Sequence, residues 1–264
     1  MNFSKYDVLK ATITKLGLVL LFTATIGACV SATSISKIAG DSWKEEVLLH
    51  DGSTIIVKRS QTYKGRHAID QSVPVGEHTV SFTIPQTGKS YTWTSEYGVD
   101  LGRTNFNLLA IHVLDNIPYI VTDPLGCMSY NKWGRPNPPY VIFKFVDSAW
   151  QRIEISELPP QIKTLNVLIA VTEADTRGVS SMRTISAKTI KERNAELTQP
   201  QYKTILRKTM EKAYCKRLVP YGNGGWLGFD WFSDQPNHEA CSNFCEKKKV
   251  APKDCPCNEL FKGK

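Results

Sequence analysis

Residues 47–57 read VLLHDGSTIIV, and this stretch carries the pattern that decides the fold. Two apolar runs, 47–49 and 55–57, flank the dipeptide Asp51-Gly52. Asp-Gly between apolar runs is among the strongest short signals of a β-hairpin, because the tight turn needs residues that tolerate a left-handed backbone. The stretch therefore predicts two antiparallel strands joined by a short turn.

Three further pairs of strands are predicted downstream. Val80, Phe82 and Ile84 alternate with polar residues, which is the period-two pattern of a strand with one buried face. Its partner is the segment 91–93, which follows a turn at 86–89. The next pair is 106–114 and 119–121, with a turn at Asp115-Asn116, and the last pair is 140–146 and 150–155, with a turn at Asp147-Ser148. Residues 164–171 (TLNVLIAV) are apolar enough for a strand buried on both faces.

About nine short strands with short turns predict a mainly β fold, an antiparallel meander that forms a sandwich or an open barrel. This β domain covers residues 42–171. From residue 172 to residue 264 we predict an α-helical extension braced by disulfides. Residues 187–197 have helical composition, and Pro200 can begin a second helix at its first turn.

The N-terminus has the layout of a secretory signal peptide at residues 1–28. Lys5, Lys10 and Lys15 form a positive leader, and residues 16–28 carry no charge. An apolar stretch of about 7–15 residues is typical of a signal peptide and is too short to cross a bilayer as a helix. The sequence therefore predicts export, with a short tether at residues 29–41 in front of the β domain.

Cys29 refines this prediction. Ile26-Gly27-Ala28-Cys29 resembles the lipobox of bacterial lipoproteins, in which small residues precede a cysteine that becomes acylated. The resemblance covers only the first 29 residues and implies lipid attachment at Cys29, with the bilayer as a partner. Val30 at the next position implies the outer membrane, facing the periplasm. The alternative is ordinary cleavage after 30–32 (Val-Ser-Ala), which releases a soluble periplasmic or secreted protein.

Six cysteines remain for the exported part of the chain, namely Cys127, Cys215, Cys241, Cys245, Cys255 and Cys257. Disulfides are the default in an oxidising compartment, and six cysteines allow 15 connectivities. Cys241 and Cys245 share one face of a helical turn, and we expect them to bond to Cys255 and Cys257. We then expect the remaining two cysteines, Cys127 and Cys215, to bond to each other. A zinc cluster of His238 with the last four cysteines is the alternative. We predict no metal and no cofactor.

The basic excess of the chain lies in its C-terminal part. Residues 186–264 contain 15 Lys and Arg against nine Asp and Glu, whereas residues 29–185 contain 15 of each kind. The second predicted helix has an apolar face opposite a basic stripe. The apolar face consists of Tyr202, Leu206, Met210 and Ala213, and the basic stripe consists of Lys208, Lys212 and Lys216. The stripe is either a contact for anionic lipid or an acidic partner, or the solvated side of a docked helix.

Two loops carry the candidate binding residues. Residues 127–139 contain three prolines, which predict a stiff loop that presents Tyr130, Trp133 and Arg135. Residues 221–232 combine glycine with large aromatics, and they present Trp226, Phe229 and Trp231. Both loops have a structural alternative, in which the aromatic rings cap the sheet or fold back onto it.

Catalytic signatures are absent from the sequence. It contains no G-x-S-x-G elbow, no H-E-x-x-H pair and no phosphate-binding glycine loop. We therefore expect an exported envelope lipoprotein that acts as a non-enzymatic binding or assembly module. Its partner would be an envelope protein, a glycan or an anionic lipid, and not nucleic acid. The alternatives are a hydrolase of glycan or peptidoglycan that uses Asp230, Asp234 or Glu239, and a soluble secreted interaction protein.

Overall fold

The first hairpin forms where the sequence predicts it, since β1 (Asp41–Leu48) pairs antiparallel with β2 (Thr54–Tyr63). The structure, a computed structural model, describes residues 40–262 apart from 66, 69–70, 170, 173–174, 177, 179–181 and 223. The predicted signal peptide, Cys29 and the tether up to residue 39 lie outside the described residues. β1 begins at Asp41, so the predicted tether ends one residue too late.

Two four-stranded antiparallel sheets follow the chain order. The first has the order β1-β2-β3-β4, with β3 at Val75–Thr83 and β4 at Ser90–Ser95. A short ribbon of β5 (Tyr97–Gly98) and β6 (Arg103–Thr104) comes next. The second sheet has the order β10-β9-β8-β7 and consists of β7 (Phe106–Leu114), β8 (Ile117–Pro124), β9 (Val141–Val146) and β10 (Ala149–Ile153). All four predicted strand pairs are therefore confirmed.

The turns of the second sheet have the chemistry that the sequence indicates. Asp115 and Asn116 have φ values of 53° and 61°, and Asp147 and Ser148 have values of 51° and 63°. Two consecutive left-handed residues define a turn whose twist matches the twist of antiparallel strands. Asp and Asn tolerate this conformation better than other residues with a side chain, so each dipeptide sets the register of its hairpin.

The two sheets pack face to face around one core. Val57 and Phe82 of the first sheet belong to the same buried cluster as Ile111 and Ile120 of the second. The period-two pattern of the strands explains this, because alternate side chains of each strand point into the space between the sheets. The mainly β, antiparallel prediction is confirmed, and the sheets form a sandwich.

Residues 164–169 form no strand, so the prediction of a doubly buried strand is wrong. Residues 166–169 of this segment are buried, but their backbone is satisfied by side chains instead of a neighbouring strand. Glu45 Oε2 accepts a hydrogen bond from the N–H of Leu168 at 3.1 Å, and Arg59 Nη1 donates to its carbonyl at 2.6 Å. The Asn194 side chain likewise accepts a hydrogen bond from the peptide N–H that follows Leu168 and donates one to the carbonyl of the residue that precedes it.

The first predicted helix forms and the second does not. The helix at Ala187–Asn194, here α2, begins at Ser186, whose hydroxyl accepts a hydrogen bond from Thr189 N–H. The second predicted helix is limited to a single 3₁₀ turn at Pro200–Tyr202, so the prediction of an amphipathic helix with a basic stripe is wrong. Arg207, which lies next to the predicted stripe in the sequence, donates to four main-chain carbonyls of residues 155–162. These contacts anchor Arg207, and residues 203–217 contain turns and bends but no helix.

Helix α1 (Gly126–Lys132) lies within the predicted proline loop, so the stiff loop begins only after Lys132. The chain ends in a small unit that we call the cysteine module, residues 217–262. Its elements are a hairpin of β11 (Leu218–Tyr221) and β12 (Gly225–Gly228) and the helices α3 (Asp230–Ser233), α4 (His238–Lys247) and α5 (Cys257–Leu260). Among the described residues no helix is long and apolar enough to cross a bilayer.

The cysteine pairs agree with the pairing that the spacing favours. The three disulfides are Cys127–Cys215, Cys241–Cys257 and Cys245–Cys255. The first ties α1 to the segment that leads into the cysteine module. The other two lie inside the module, where Cys241, Cys245 and Cys257 share a buried cluster with Phe232. A small unit with little apolar area gains much of its stability from such bonds.

The C-terminal part is not separated from the β domain at the predicted boundary of residues 171–172. The N–H of Glu46 in β1 donates to the carbonyl of Ile185 at 2.8 Å, and the N–H of Ile185 donates back to Lys44. Ile185 also packs with Trp43 in a buried cluster. The described residues from Gly40 onward accordingly group into one compact unit.

Candidate functional site

A cleft of about 890 Å³ lies between the α1 region and the cysteine module. The disulfide Cys127–Cys215 brings its two walls together, because it joins α1 to the chain just before β11. The lining includes Asp100, Lys132 and Arg135 on one side and Arg217, Trp226 and Lys262 on the other. Arg135 from the predicted proline loop and Trp226 from the predicted glycine loop therefore face one cleft. We call it the module cleft.

Arg135 is held in place by its neighbours. Its guanidinium donates to Asn131 Oδ1 and to the carbonyl of Cys215, each at 3.0 Å. It also lies over the ring of Tyr130, 5.1 Å from the centroid. The backbone of Arg135 is left-handed, with φ at 55°. These contacts orient the side chain before any ligand arrives, which lowers the entropy lost on binding.

The other two candidates of the proline loop are packing residues. Tyr130 is only 2% exposed, and its ring lies 5.2 Å from that of Tyr214. Trp133 is half-buried against the sandwich core, and its indole donates to Asn105 Oδ1 at 3.2 Å. The structural alternative that the sequence left open, rings that cap the sheet, describes Trp133, whereas Tyr130 packs with Tyr214 and Arg135. Of the three candidates of this loop, only Arg135 lines the module cleft.

Trp226 has the most distinctive environment of the glycine-loop candidates. Its indole nitrogen Nε1 is buried and has no hydrogen-bond partner. A buried donor without a partner costs about 1–3 kcal/mol, so native structures rarely leave one unless an additional group completes it. Trp226 lines the module cleft, so this unpartnered donor belongs to the wall of the cleft.

Phe229 and Trp231 lie outside the lining of the module cleft. Phe229 stacks under the Arg217 guanidinium, 4.2 Å from its ring centroid. Trp231 on α3 is 52% exposed, with Lys248 Nζ 5.9 Å from its ring centroid. The structure therefore brings Arg135 and Trp226 together in the module cleft, whereas the exposed ring of Trp231 lies apart from them.

The module cleft carries an excess of positive charge. Two of its cations are paired, since Lys132 contacts Asp100 at 2.7 Å and Arg217 binds both carboxylate oxygens of Glu259. The hydrogen bond from Arg217 also lowers the pKa of Glu259. The remaining charged residues of the lining are Arg135, Lys253 and Lys262 against the single carboxylate of Asp254. The balance favours a ligand with negative charge.

Sequence reasoning missed Lys132, Arg217, Lys253 and Lys262 as site residues. These positions lie far apart in the chain, and none belongs to a recognisable motif. The available signal was the expected pairing of Cys127 with Cys215, which places α1 next to the start of the cysteine module. The carboxylates named for the hydrolase, Asp230, Asp234 and Glu239, do not line the module cleft.

A buried carboxyl group forms a second unusual environment, away from the module cleft. Asp123 at the end of β8 is fully buried and accepts a hydrogen bond from the Tyr202 hydroxyl at 2.7 Å. Burial raises the pKa of Asp123 to about 7, although hydrogen bonds from Tyr202 and Asn107 oppose the shift. Burial, with Asp123 adding to it, also raises the pKa of Tyr202. The hydrogen bond from Tyr202 thus links the C-terminal segment to β8 at a carboxyl group whose pKa burial raises to about 7.

Comparisons with models of protein families, with curated proteins and with solved structures found no match to this chain. The functional conclusion therefore rests on the geometry and charge of the chain's own residues. Among these, the module cleft combines an oriented cation at Arg135, an unpartnered donor at Trp226 and an excess of positive charge. That combination suits the capture of an acidic group.

Proposed function

We propose that this protein is an exported, lipid-anchored binding module of the bacterial outer membrane that captures an acidic envelope ligand in the module cleft. The signal-peptide pattern and Cys29 support export and lipid attachment. The cleft supports binding. Nothing in the described geometry favours hydrolysis over binding, because the carboxylates named for that reaction lie outside the cleft lining.

The observation that carries the proposal is the buried Nε1 of Trp226, which has no hydrogen-bond partner. A ligand oxygen that accepts from this nitrogen removes a cost of about 1–3 kcal/mol. Arg135, Lys253 and Lys262 supply the charge that selects an anionic oxygen over a neutral one. Carboxylates of peptidoglycan stem peptides and of envelope proteins belong to this class, and peptidoglycan is the probe that we choose.

The binding test compares Trp226→Phe with the unaltered protein. Phe keeps an aromatic ring in the cleft wall but removes the N–H donor. We expect cosedimentation with purified peptidoglycan sacculi to weaken by about tenfold, which corresponds to about 1.4 kcal/mol. Trp231→Phe is the matched control, since Trp231 is exposed outside the cleft, and it should bind as the unaltered protein does.

Three results would contradict the binding proposal. The unaltered protein could fail to sediment with sacculi, the two Phe variants could bind equally well, or the sacculi could release soluble fragments. The last result would favour the hydrolase instead. A thermal melt of each variant separates loss of binding from loss of folding, because Trp226→Phe should shift the midpoint by only a few degrees.

The anchoring part is tested independently. Cells that express the protein should incorporate radiolabelled palmitate into it, and Cys29→Ser should abolish the label and release the protein from the membrane fraction. Palmitate-free protein that is nevertheless processed and secreted would support the soluble alternative. Unprocessed protein in the cytosol would overturn export itself.

A further inference from the structure

Four sulfur atoms meet in one place inside the cysteine module. Cys241 is bonded to Cys257, and Cys245 is bonded to Cys255. The two disulfides also touch each other. Cys257 Sγ lies 3.6 Å from Cys245 Sγ and 3.3 Å from Cys255 Sγ.

The local sequence explains why the sulfurs converge. Cys241 and Cys245 are one helical turn apart on α4, so both point to the same side of the helix. Cys255 and Cys257 flank Pro256 at the start of α5, which directs both of them toward α4. The backbone thus presents two pairs of cysteines across a short gap.

The dimensions of this cluster are close to those of a zinc site. Zn²⁺ bound by four thiolates at about 2.3 Å in a tetrahedron places neighbouring sulfurs about 3.8 Å apart. The sulfurs of Cys241, Cys245 and Cys257 all lie within 4.8 Å of one another, and two contacts between the disulfides are 3.3 and 3.6 Å. When both disulfide bonds are broken, the sulfurs of each pair, whose Cα atoms lie 5.7 and 6.0 Å apart, are free to separate toward this spacing.

We propose that Cys241, Cys245, Cys255 and Cys257 form a zinc site when both disulfides are reduced, so that the module exchanges two covalent bonds for one bound ion. His238, which the sequence pattern includes in the alternative cluster, is not part of this set. Its Nε2 contacts Asn258 Oδ1 at 2.8 Å and its ring packs on Phe261. The proposal does not rest on the function proposed for the module cleft.

The chemistry balances with a phosphine as the reductant. Each phosphine takes one oxygen atom from water to become a phosphine oxide, and it delivers two electrons and two protons to one disulfide. Two equivalents therefore convert the two disulfides into four thiols. Binding of one Zn²⁺ then releases up to four protons and leaves a tetrathiolate complex with a net charge of −2. Lys247, Lys248 and Lys249 at the end of α4 provide positive charge in the same module.

The reductant has a route to the sulfurs. Cys255 is only half-buried and lines both the module cleft and a smaller cavity of about 310 Å³, whereas Cys241 and Cys257 are buried. The Cys245–Cys255 disulfide is therefore the one that opens first. The freed Cys255 thiolate, whose Sγ lies 3.3 Å from Cys257 Sγ in the oxidised protein, can attack that sulfur: a Cys255–Cys257 bond forms, the Cys241–Cys257 bond breaks and Cys241 leaves as the thiolate. The second phosphine then reduces the Cys255–Cys257 bond to two thiols.

Zinc content measured on the purified protein tests the proposal. Half of a zinc-free sample is reduced with excess phosphine, both halves receive Zn²⁺, and unbound metal is removed by gel filtration. Atomic emission should find about one zinc ion per chain in the reduced sample and roughly a tenth of that or less in the oxidised one. Co²⁺ in place of Zn²⁺ should give the visible absorption bands of a tetrahedral thiolate complex.

Variants identify the ligands. Cys255→Ser should lose most of the bound metal, whereas the double variant Cys127→Ser, Cys215→Ser should keep about one ion per chain after reduction. His238→Ala should also keep it. The proposal is overturned if the reduced protein takes up no zinc, if both redox states bind it equally, or if His238→Ala loses the metal. The comparison of redox states needs no variant, so it holds even where a substitution prevents folding.

Discussion

The side chain of Asn166 pairs with the main chain of Ile111 as a neighbouring strand would. Asn166 Oδ1 accepts from the N–H of Ile111 at 2.9 Å, and Asn166 Nδ2 donates to the Ile111 carbonyl at 2.8 Å. The same Nδ2 donates to the carbonyl of Leu48 at 2.9 Å. One amide thus satisfies the edge of β7 in one sheet and also contacts the end of β1 in the other.

Removing this amide should be costly. We expect Asn166→Ala to lower the free energy of unfolding by about 2–4 kcal/mol, because it leaves the buried peptide group of Ile111 without partners. Urea denaturation measures the change. Gln151→Ala removes an exposed amide from β10 and should change stability by less than about 0.5 kcal/mol. Equal effects of the two variants would mean that the Asn166 bonds do not stabilise the fold.

The buried ion pair of Arg59 and Glu45 gives a second test. The two side chains meet at 2.7 Å with almost no exposure, and both bond to Leu168. Glu45→Gln should destabilise the protein by about 3–5 kcal/mol, since it leaves the Arg59 cation buried without its counter-charge.

The exposed pair Lys188–Glu192 is the control for this test. Lys188 Nζ lies 3.8 Å from Glu192 Oε1, and both side chains are largely exposed to solvent. Lys188→Met should therefore cost less than about 0.5 kcal/mol. If Glu45→Gln proved as mild as Lys188→Met, the polar contacts around Leu168 would not hold the buried segment in place.

The pKa of Asp123 predicts a dependence of stability on pH. The folded-state pKa of about 7 lies above the ordinary value of 3.8, so the folded protein holds the proton more tightly than the unfolded chain. Its stabilising contribution is complete below about pH 3.8 and is lost as pH rises through about 7. Asp123→Asn keeps a neutral acceptor for the Tyr202 hydroxyl at every pH.

We therefore expect Asp123→Asn to be more stable than the unaltered protein by about 2–4 kcal/mol at pH 8, with the difference vanishing toward pH 4. Urea denaturation across this range measures it. Asp147→Asn, at an exposed turn, should show no such dependence. A stability difference for Asp123→Asn that is constant with pH would show that the buried carboxyl does not titrate as described.

The disulfide between Cys127 and Cys215 should contribute strongly to stability, because it closes a sequence separation of 88 residues. Replacing both by Ser should lower the free energy of unfolding by about 2–5 kcal/mol. Hydrogen exchange should also become faster in α1, which loses its covalent link to the entry of the cysteine module. Cys127→Ser alone should match the double variant within about 1 kcal/mol, since either change opens the same loop.

The candidate site was predictable only in part. Trp226 and Arg135 stand out in the sequence because aromatic and guanidinium groups on constrained loops often bind ligands. Their meeting in one cleft was not readable, because it depends on how α1 and β11 lie in space. Tyr130 has the same residue-type signal as Arg135, yet it is buried, because Arg135 and Tyr214 cover its ring.

The sequence by itself determined the hairpins and restricted the cysteine pairs. Asp51-Gly52, Asp115-Asn116 and Asp147-Ser148 specify their turns through local backbone preference, and alternating side chains assign the buried face of each strand. The spacing of Cys241 and Cys245 restricts their partners in a similarly local way. Such features depend on residues that are close together in the chain, so they can be read without the fold.

Only the tertiary structure decided the conformation of residues 164–169 and 203–217. Their apolar periodicity favours a strand and a helix, but Glu45, Arg59 and Asn166 bond to the backbone of the first segment or to its neighbours. In the second segment, the Asn137 side chain bonds to both the N–H and the carbonyl of Met210, and Arg135 donates to the carbonyl of Cys215. A backbone needs its hydrogen bonds satisfied and not a particular regular structure, so polar side chains from distant parts of the chain can replace regular backbone hydrogen bonds.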